Sequence, residues 1–247
     1  MCIRDSDGTG SFTRSDLESS VRASAISSAD LDGDGNPDLV TANFFTLEVF
    51  WNEGGGEFSV PVSIEVDRAT RFVTTGDLNQ DGLPDLVFTN TSNDDVSLMF
   101  NEGGRSFSAR LSITVGDYPT AAAIEDFNGD QLADILVLNS RDDNATLIPG
   151  NGNGTFGDAR TLPLNAAYPT QLAVADLDLD GDIDVATANR ESVSILHNDG
   201  NGNLEQVDEF SARPSQILAA DLDGDGDSEI SFGSARDSAV SLSLIHI

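Results

Sequence analysis

Five short stretches of the chain carry acidic side chains at a spacing that suits a metal ion. In residues 30–38, acids occupy the first, third, fifth and ninth positions, and Gly35 occupies the sixth, where the chain must turn sharply. A hard cation such as Ca²⁺ takes about six to eight oxygen ligands, and alternate residues of a tight loop can point at one centre. Clustered carboxylates repel one another unless a cation neutralises them. The spacing predicts a Ca²⁺ loop, and a solvated acidic turn is the simpler alternative.

The acidic stretch recurs along the chain at a nearly constant interval. The copies span 30–38, 77–85, 126–134, 176–184 and 221–229. Their first residues lie 47, 49, 50 and 45 positions apart. Self-similarity at this period indicates a stacked-repeat fold, because a repeat of this size buries its apolar face only against its neighbours. The recurrence therefore favours metal loops over unrelated acidic turns.

Each of the five loops offers a predicted set of calcium ligands. Side-chain oxygens come from positions one, three, five and nine, and the backbone carbonyl comes from position seven. The predicted ligands are Asp30, Asp32, Asp34, Asn36 and Asp38; Asp77, Asn79, Asp81, Leu83 and Asp85; Asp126, Asn128, Asp130, Leu132 and Asp134; Asp176, Asp178, Asp180, Asp182 and Asp184; and Asp221, Asp223, Asp225, Asp227 and Glu229.

The five loops are not equivalent. The first and fourth keep Asp at all four side-chain positions and Gly at the sixth, so we expect the tightest binding there. Gln131 replaces the expected Gly in the third loop, where a left-handed turn costs about 1 kcal/mol or more. Glu229 is one methylene longer than Asp, which changes the geometry of the fifth loop. Mg²⁺ should compete poorly, because it demands strict octahedral geometry and gives up water reluctantly.

Between the acidic loops the sequence predicts four short strands per repeat. In the first repeat these are Ser24–Ala29, Asp38–Ala42, Thr46–Trp51 and Phe58–Val66, and the second is a nearly continuous apolar run, as in a strand covered on both faces. A turn rich in Gly and Asn, such as 52–58, follows each third strand, because these residues tolerate positive φ. Four short strands per unit of this length are the signature of a β-propeller blade.

These motifs together resemble the FG-GAP/VCBS family of propeller repeats, to whose broad group the integrin α-subunit head also belongs. The matching features are Asp-x-Asp-x-Asp-Gly-x-x-Asp, the apolar strand after it and the Gly/Asn-rich turn, over residues 7–241. The resemblance implies an all-β propeller of four-stranded blades with a calcium loop between the first two strands of each. Propellers of this family usually have about seven blades. Because five repeats are present, we expect a fragment of a larger ring, or a ring of five closed by a strand near Phe12–Val21 pairing with Ala239–Leu242.

Composition limits the partners and the compartment. Asp and Glu number 43 and Lys and Arg 12, for a net charge of −31. Nucleic acid and anionic membrane both need a basic footprint, so neither is an expected partner, and no apolar run is long enough for membrane insertion. Extracellular calcium modules bind at about 10⁻⁴–10⁻³ M, so five such loops predict a secreted or cell-surface protein. Because the chain has a single cysteine and no intrachain disulfide, a prokaryotic source is expected. Residues 1–6 and 242–247 fit neither the repeat nor a signal peptide and are expected to be non-native tails.

Two functions remain open on the sequence. The favoured one is a non-catalytic, calcium-binding module that mediates adhesion by binding a protein or carbohydrate, because repeat folds present broad surfaces. The alternative is the propeller portion of a secreted polysaccharide-degrading lyase or hydrolase. His197, before a Gly turn, is expected to be a partly exposed turn residue, and no catalytic residues are predicted. Trp51, Tyr118 and Tyr168 are candidates for sugar stacking, although aromatic residues mainly supply buried area.

Overall fold

The computed structural model describes residues 2–6, 12–17, 22–66, 69–234 and 239–242. Strands account for all of the regular secondary structure in these residues, and no helix in them has the length and apolar character that crossing a membrane requires. The strands are β1 (Cys2–Ser6), β2 (Phe12–Asp16), β3 (Ala25–Ala29), β4 (Asp38–Ala42), β5 (Thr46–Phe50), β6 (Val62–Glu65), β7 (Thr70–Gly76), β8 (Asp85–Asn90), β9 (Asp95–Met99), β10 (Asn101–Gly103), β11 (Ser106–Phe107), β12 (Leu111–Thr114), β13 (Pro119–Glu125), β14 (Asp134–Asn139), β15 (Asn144–Ile148), β16 (Arg160–Pro163), β17 (Gln171–Ala175), β18 (Asp184–Ala188), β19 (Ser192–Asn198), β20 (Leu204–Ser211), β21 (Gln216–Ala220), β22 (Glu229–Ser234) and β23 (Ala239–Leu242).

The strands form one antiparallel sheet per repeat. Four sheets have four strands, in the orders β3-β4-β5-β6, β7-β8-β9-β12, β13-β14-β15-β16 and β17-β18-β19-β20, and the fifth has three, β21-β22-β23. Strands β10 and β11 form a small hairpin within the Gly-rich turn of the second repeat. The predicted all-β architecture of four-stranded units is confirmed, and strand β4 has the bounds that the sequence predicts.

Successive sheets pack face to face, which explains the apolar second strands. Every residue of β8, β14 and β18 is buried. In β8, Leu86 and Phe88 join a cluster with Val40 of the first sheet, whereas Val87 joins a cluster with Ile135 of the third. Alternate side chains of one strand therefore fill two different interfaces, because successive residues point to opposite faces of a sheet. Outer strands such as β6 are mostly exposed.

The first strands of all five sheets meet around one cavity of about 560 Å³. Its lining includes the beginnings of β3, β7, β17 and β21, together with Thr120 near the start of β13. Each of these strands runs from the cavity directly into its acidic loop, so the five acidic loops lie at the opposite end of the sheets. This arrangement of sheets around a common centre is that of propeller blades.

The ring-closing pair that the sequence predicts is wrong for the described residues. Strand β2, Phe12–Asp16, pairs with β1, Cys2–Ser6, and β23 pairs with β22. A local hairpin closes a short loop and needs less ordering entropy than pairing strands from the two ends of the chain. Residues 18–21 of the predicted strand, residues 7–11 of the first Gly-rich turn and residues 243–247 of the predicted C-terminal tail lie outside the described residues.

A core substitution tests the packing between the sheets. Leu136 of β14 is fully buried against the fourth sheet, whereas Leu111 of β12 is 41% exposed. We expect Leu136→Ala to lower the free energy of unfolding by about 2–5 kcal/mol, because it removes buried methyl groups and leaves a cavity. Leu111→Ala, the matched control, should change it by about 0.5 kcal/mol or less. Urea unfolding measures both values, and equal losses would contradict the sheet interface.

Candidate metal centres

Two left-handed residues shape each acidic loop. At position six, Gly35 has φ 89°, and Gln131, the predicted misfit, has φ 65°. Position four is also left-handed, as at Gly33 with φ 77° and Leu179 with φ 63°, and the sequence does not indicate this because Gln and Leu occupy the position in two loops. The two turns curl the backbone so that the alternate acidic side chains can face one centre, at a cost of about 1 kcal/mol where the residue is not Gly.

The first carboxylate of each loop accepts hydrogen bonds from the loop's own backbone. The Gly33 and Asp34 amides donate to Asp30 Oδ1 at 2.8 and 3.1 Å, and the Gly35 amide donates to Oδ2 at 2.8 Å. The third loop repeats this pattern around Asp126. Backbone donors stabilise a charged carboxylate and fix its direction. The position-one acid thus organises the loop whether or not a metal is bound.

The ninth carboxylate is a buried clamp as well as a predicted ligand. Asp38 is fully buried; its Oδ2 accepts from the Leu31 amide at 2.9 Å, and its Oδ1 accepts from the Asn52 amide at 2.7 Å. These two bonds tie the start of the acidic loop to the Gly-rich turn after the third strand. Asp85, Asp134 and Asp184 make the same pair of bonds in their repeats. In the fifth loop, Glu229 is buried and accepts from the Leu222 amide at 2.7 Å.

Burial of these carboxylates raises their pKa values. Desolvation is the main cause and raises the pKa of Asp85 to about 6, against the opposing effect of the Asn101 and Leu78 amides. The pKa values of Asp38, Asp134 and Asp184 are raised for the same reason. Neighbouring acids of the same loop raise them further. A nearby cation would remove the like-charge part of this cost.

Three of the loops bring ligand oxygens close enough to share one ion. Carboxylate oxygens lie within 4.8 Å of one another in each of three groups, namely Asp30, Asp32 and Asp38; Asp176, Asp178 and Asp180; and Asp221, Asp223 and Asp225. In the fourth loop, Asp176 Oδ1 is buried without a hydrogen-bond partner, which a bound cation would supply. Oxygen-rich, carboxylate-dominated sets fit Ca²⁺. The residues present therefore fit the ion that the sequence predicts.

Neighbouring side chains already donate into the first loop. Arg105, on the Gly-rich turn of the second repeat, places Nε 2.8 Å from Asp32 Oδ2 and Nη1 2.7 Å from Glu53 Oε1. Its guanidinium also lies 5.1 Å from the centre of the Trp51 ring, which is buried. The hydrogen bonds to Glu53 and Asp32 raise the pKa of Arg105 further above its usual range. Asp32, a predicted metal ligand of the first repeat, thus forms an ion pair with Arg105 of the second repeat.

Asn side chains play a comparable part in the second and third loops. Asn79 Nδ2 donates to Asp81 at 3.0 Å, and Asn128 Nδ2 donates to both oxygens of Asp134 at 3.1 and 2.9 Å. Their Oδ1 atoms accept from the Asp81 and Asp130 amides. A cation at these loops would compete with hydrogen bonds that the amides already make.

His197 joins the fourth loop. Its Nδ1 lies 3.0 Å from Asp178 Oδ2, and Asp184 offers a further oxygen within the same small cluster. The expectation of a partly exposed turn residue is correct for its exposure, since 23% of the side chain is accessible, but the residue lies in strand β19, and its acidic partners are not evident from the sequence. The clue is positional, because His197 immediately precedes Asn198, which corresponds to Asn52 and Asn101 in other repeats.

The other predicted ligands lie at the rim of the loops. The position-seven residues Asn36, Leu83, Leu132, Asp182 and Asp227 each donate a backbone amide to the position-five carboxylate of their loop. Burial, followed by the charge of Asp180, raises the pKa of the Asp182 side chain. Asp223 is exposed, and partial desolvation of its carboxylate, followed by the charge of Asp225, raises its pKa.

Two buried Asn residues link the loops of neighbouring repeats. Asn101 Nδ2 donates to the Leu31 carbonyl of the preceding repeat at 2.7 Å, and Asn198 Nδ2 donates to the Phe127 carbonyl at 2.9 Å. The sequence pattern assigns these Asn residues to turns but does not reveal the links, because they join distant repeats. In the third repeat the equivalent position is Gly150, where a Cβ would collide with the Ala133 carbonyl.

Comparison with known proteins agrees with the repeat analysis. The profile of the FG-GAP-like repeat matches residues 30–88, 77–137, 126–187 and 176–231. No curated protein sequence matches the chain. Among solved structures, an Agrocybe aegerita lectin that recognises non-reducing terminal N-acetylglucosamine is similar with a TM-score of 0.60 and 20% identity. The match covers 83% of this chain and 59% of the lectin chain, so this chain spans less than two thirds of that length.

Two further structures share the fold at lower identity. A Lactobacillus plantarum protein is similar with a TM-score of 0.61 and 12% identity. The match covers 97% of this chain and 75% of the Lactobacillus plantarum chain. BBS1N, solved in complex with ARL6DN, has a TM-score of 0.56 at 14% identity, covering 85% of this chain and 62% of its own. These likenesses concern the fold alone.

The raised pKa values predict a pH dependence that changes sign with calcium. A raised folded-state pKa means that Asp85 contributes stability below its unfolded value of about 4, and that this contribution is lost as pH rises through about 6. The free energy of unfolding of calcium-free protein should therefore fall between about pH 5 and 7. With saturating Ca²⁺ it should rise over the same range, because protons compete with the ion for the carboxylates. Urea unfolding across this range gives both slopes, and slopes of equal sign would contradict the prediction.

The contact between Arg105 and Asp32 predicts competition with metal at the first loop. Arg105→Gln removes the guanidinium, so calcium-free protein should melt at a lower temperature and gain more from added Ca²⁺ than the unaltered chain. The matched control is Arg213→Gln, which removes an ion pair with Glu191 outside the acidic loops. Thermal melting in chelator and in Ca²⁺ measures the gain, and an equal gain in both variants would show that Arg105 does not affect the loop.

Proposed function

Because this chain belongs to the family of FG-GAP-like repeat proteins, we propose that it is a calcium-stabilised binding module. One observation carries the proposal: acidic loops at the same end of the repeats hold carboxylate oxygens within 4.8 Å of one another, and one such oxygen, on Asp176, is buried and unpartnered. The first and fourth loops each offer four Asp side chains to the ion. Bound Ca²⁺ would supply positive charge that holds these carboxylates together.

The proposed partner is a protein or a carbohydrate, bound away from the ion loops. The sheets carry exposed apolar and aromatic side chains on the opposite end, including Phe44, Phe45 and Tyr168. Support for a carbohydrate comes from the lectin of similar fold, and support for a protein comes from the similar fold of BBS1N in its complex. We propose that the chain binds without catalysis, and that His197 serves its acidic loop because its Nδ1 contacts Asp178.

The proposed setting is the cell surface or the extracellular medium, where the module would contribute to adhesion. Loops of this kind bind at about 10⁻⁴–10⁻³ M, so they would fill where Ca²⁺ is roughly millimolar. We also propose that the five sheets form an arc of a larger ring. Ile26 of the first sheet is 52% exposed, whereas the corresponding Val73 of the second sheet is buried; Leu218 of the fifth sheet is 58% exposed, whereas the corresponding Ala123 is buried. Both exposed residues would pack against a further blade on either side.

Calcium would supply a large part of the stability of the fold. A ligand that binds the folded state alone stabilises it by RT ln(1 + [L]/Kd). For about 1 mM Ca²⁺ and a Kd of about 10⁻⁴ M this is about 1.4 kcal/mol for each site. Three such sites would add about 4 kcal/mol, against a typical total of about 5–15 kcal/mol.

Chelation and a paired substitution test the calcium role. Chelator should lower the melting temperature markedly, and Asp178→Ala with Asp180→Ala should reproduce part of that loss in Ca²⁺ with a smaller effect in chelator. The matched control is Glu205→Ala with Asp208→Ala, which removes two exposed acids from β20 of the same sheet. Isothermal titration of the two variants counts the sites.

The outcomes separate the two readings of the acidic loops. Fewer titrated sites in the Asp178/Asp180 variant, with all sites retained in the control, would support a metal centre in the fourth loop. Equal melting with and without chelator, together with no heat at millimolar Ca²⁺, would make the loops plain acidic turns. That result would overturn the calcium part of the proposal and leave the binding role to be tested separately.

A further inference from the structure

At the cavity where the five first strands meet, one residue departs from the residue type that the other repeats share at the same position. Six positions before each acidic loop stand Ser24, Thr120, Thr170 and Ser215 in four of the repeats, and Arg71 in the second. The four hydroxyl groups each donate to a backbone carbonyl across the same sheet, as Ser24 does to Ala42 at 3.1 Å. Arg71 replaces this short structural contact with a long cationic side chain that lines the cavity.

Arg71 has no carboxylate partner within the described part of the chain. Other arginines of this acidic chain do pair, as Arg105 does with Asp32 and Arg141 with Asp117. The Arg71 guanidinium instead lies 5.8 Å from the centre of the Phe44 ring and 5.5 Å from that of Tyr118. Aromatic faces attract a guanidinium but leave its hydrogen-bond donors free. With 43 acids in the chain, an unpaired guanidinium at a cavity is an available anion site.

The rest of the lining is polar but uncharged. Arg71 carries the single formal charge among the described residues that line the cavity. The Gln171 and Gln216 carboxamides make no side-chain hydrogen bond to other described residues, so each offers both a donor and an acceptor. The hydroxyl oxygens of Ser24 and Thr170, whose protons are directed to backbone carbonyls, remain acceptors. Such groups match a ligand that carries several hydroxyl groups.

We propose that this cavity binds a carboxylated sugar, of the hexuronic acid class. The Arg71 guanidinium would pair with the carboxylate through two parallel hydrogen bonds, and the carboxamides and hydroxyls would bind the ring hydroxyls. Phe44, 48% exposed, would face the apolar side of the sugar ring. The cavity volume of about 560 Å³ accommodates a sugar ring and lies within the usual range for small-ligand sites. The inference rests on the proposed binding role and names the chemistry of its ligand.

Charge distinguishes this ligand from its nearest alternatives. A neutral sugar would leave the guanidinium without a counter-charge, whereas the net charge of −31 would repel a ligand with many phosphate or sulfate groups. One carboxylate matches one guanidinium. A peptide carboxyl terminus shares the carboxylate but lacks the ring hydroxyls that the carboxamides would bind.

Titration with matched small molecules tests the site. The probes are D-glucuronic acid, D-glucose, which carries a hydroxymethyl group in place of the carboxylate, and the tripeptide Gly-Gly-Phe. Ligand-observed NMR on the full chain in Ca²⁺ measures their binding. Glucuronic acid should bind at least about tenfold more tightly than glucose, the usual order for a charge-assisted pair. Arg71→Gln should remove this preference while keeping an amide in the cavity. Arg213→Gln is the matched control because its partner Glu191 lies outside the cavity lining, and it should bind as the unaltered chain does.

Each outcome decides between the proposal and its alternatives. Equal binding of glucuronic acid and glucose, or a preference that survives Arg71→Gln in a variant with unchanged melting temperature, would overturn the proposal. Tighter binding of the tripeptide would also overturn it, in favour of a carboxyl-terminal peptide. If the calcium-dependent stability remains and another saccharide or protein binds independently of Arg71, the binding module stands and the inference about its ligand fails.

Discussion

Repulsion among clustered carboxylates is the constraint on which the rest of this structure depends. Each repeat places three to five acids within one nine-residue loop, on a chain already at −31. In the described structure, backbone amides donate hydrogen bonds to the carboxylates at positions one and nine, which reduces this repulsion. Side chains from outside or within the loop, such as Arg105, Asn128 and His197, also contact the carboxylates. These donors do not remove the whole cost, since burial first, and then the charges of Asp81 and Asp77, keep the pKa of Asp85 raised. A divalent cation would neutralise the remaining charge, and the ligand spacing fits one.

The same contacts make the acidic loops part of the fold and not an appendage to it. The buried Asp38 clamp joins its loop to the Gly-rich turn, and the Asn101 side chain joins that loop to the next repeat. A change of charge at one loop therefore alters the free energy of bonds that span two repeats. Since stacked repeats gain stability through their neighbours, metal occupancy should influence the cooperativity of unfolding as well as its midpoint.

Short-range sequence patterns predicted the loops and strands, whose formation depends on residues close together in the chain. The acidic spacing from Asp30 onward was sufficient to predict a tight loop between the first two strands, and the apolar run was sufficient to predict β4, because loop geometry and strand burial leave periodic marks in the sequence. The Arg105 and His197 contacts were not predictable, since they join positions set by packing between strands and repeats. The ring-closing pair failed for a related reason: sequence shows that Phe12–Asp16 is a strand but does not determine which partner it takes.

The two ends of the sheets differ in how closely the repeats resemble one another. At the end that carries the acidic loops, the repeats keep similar residue types at the same spacing, because every loop must accommodate repulsion among its carboxylates. At the cavity end, the hydroxyl residue that closes the strand start in four repeats gives way to Arg71 in the second. A position that serves the fold has no physical reason to exchange a satisfied hydroxyl for an unpaired cation. The exchange of a hydroxyl residue for Arg71 is therefore the departure from the internal repeat on which the proposed ligand site at the cavity rests.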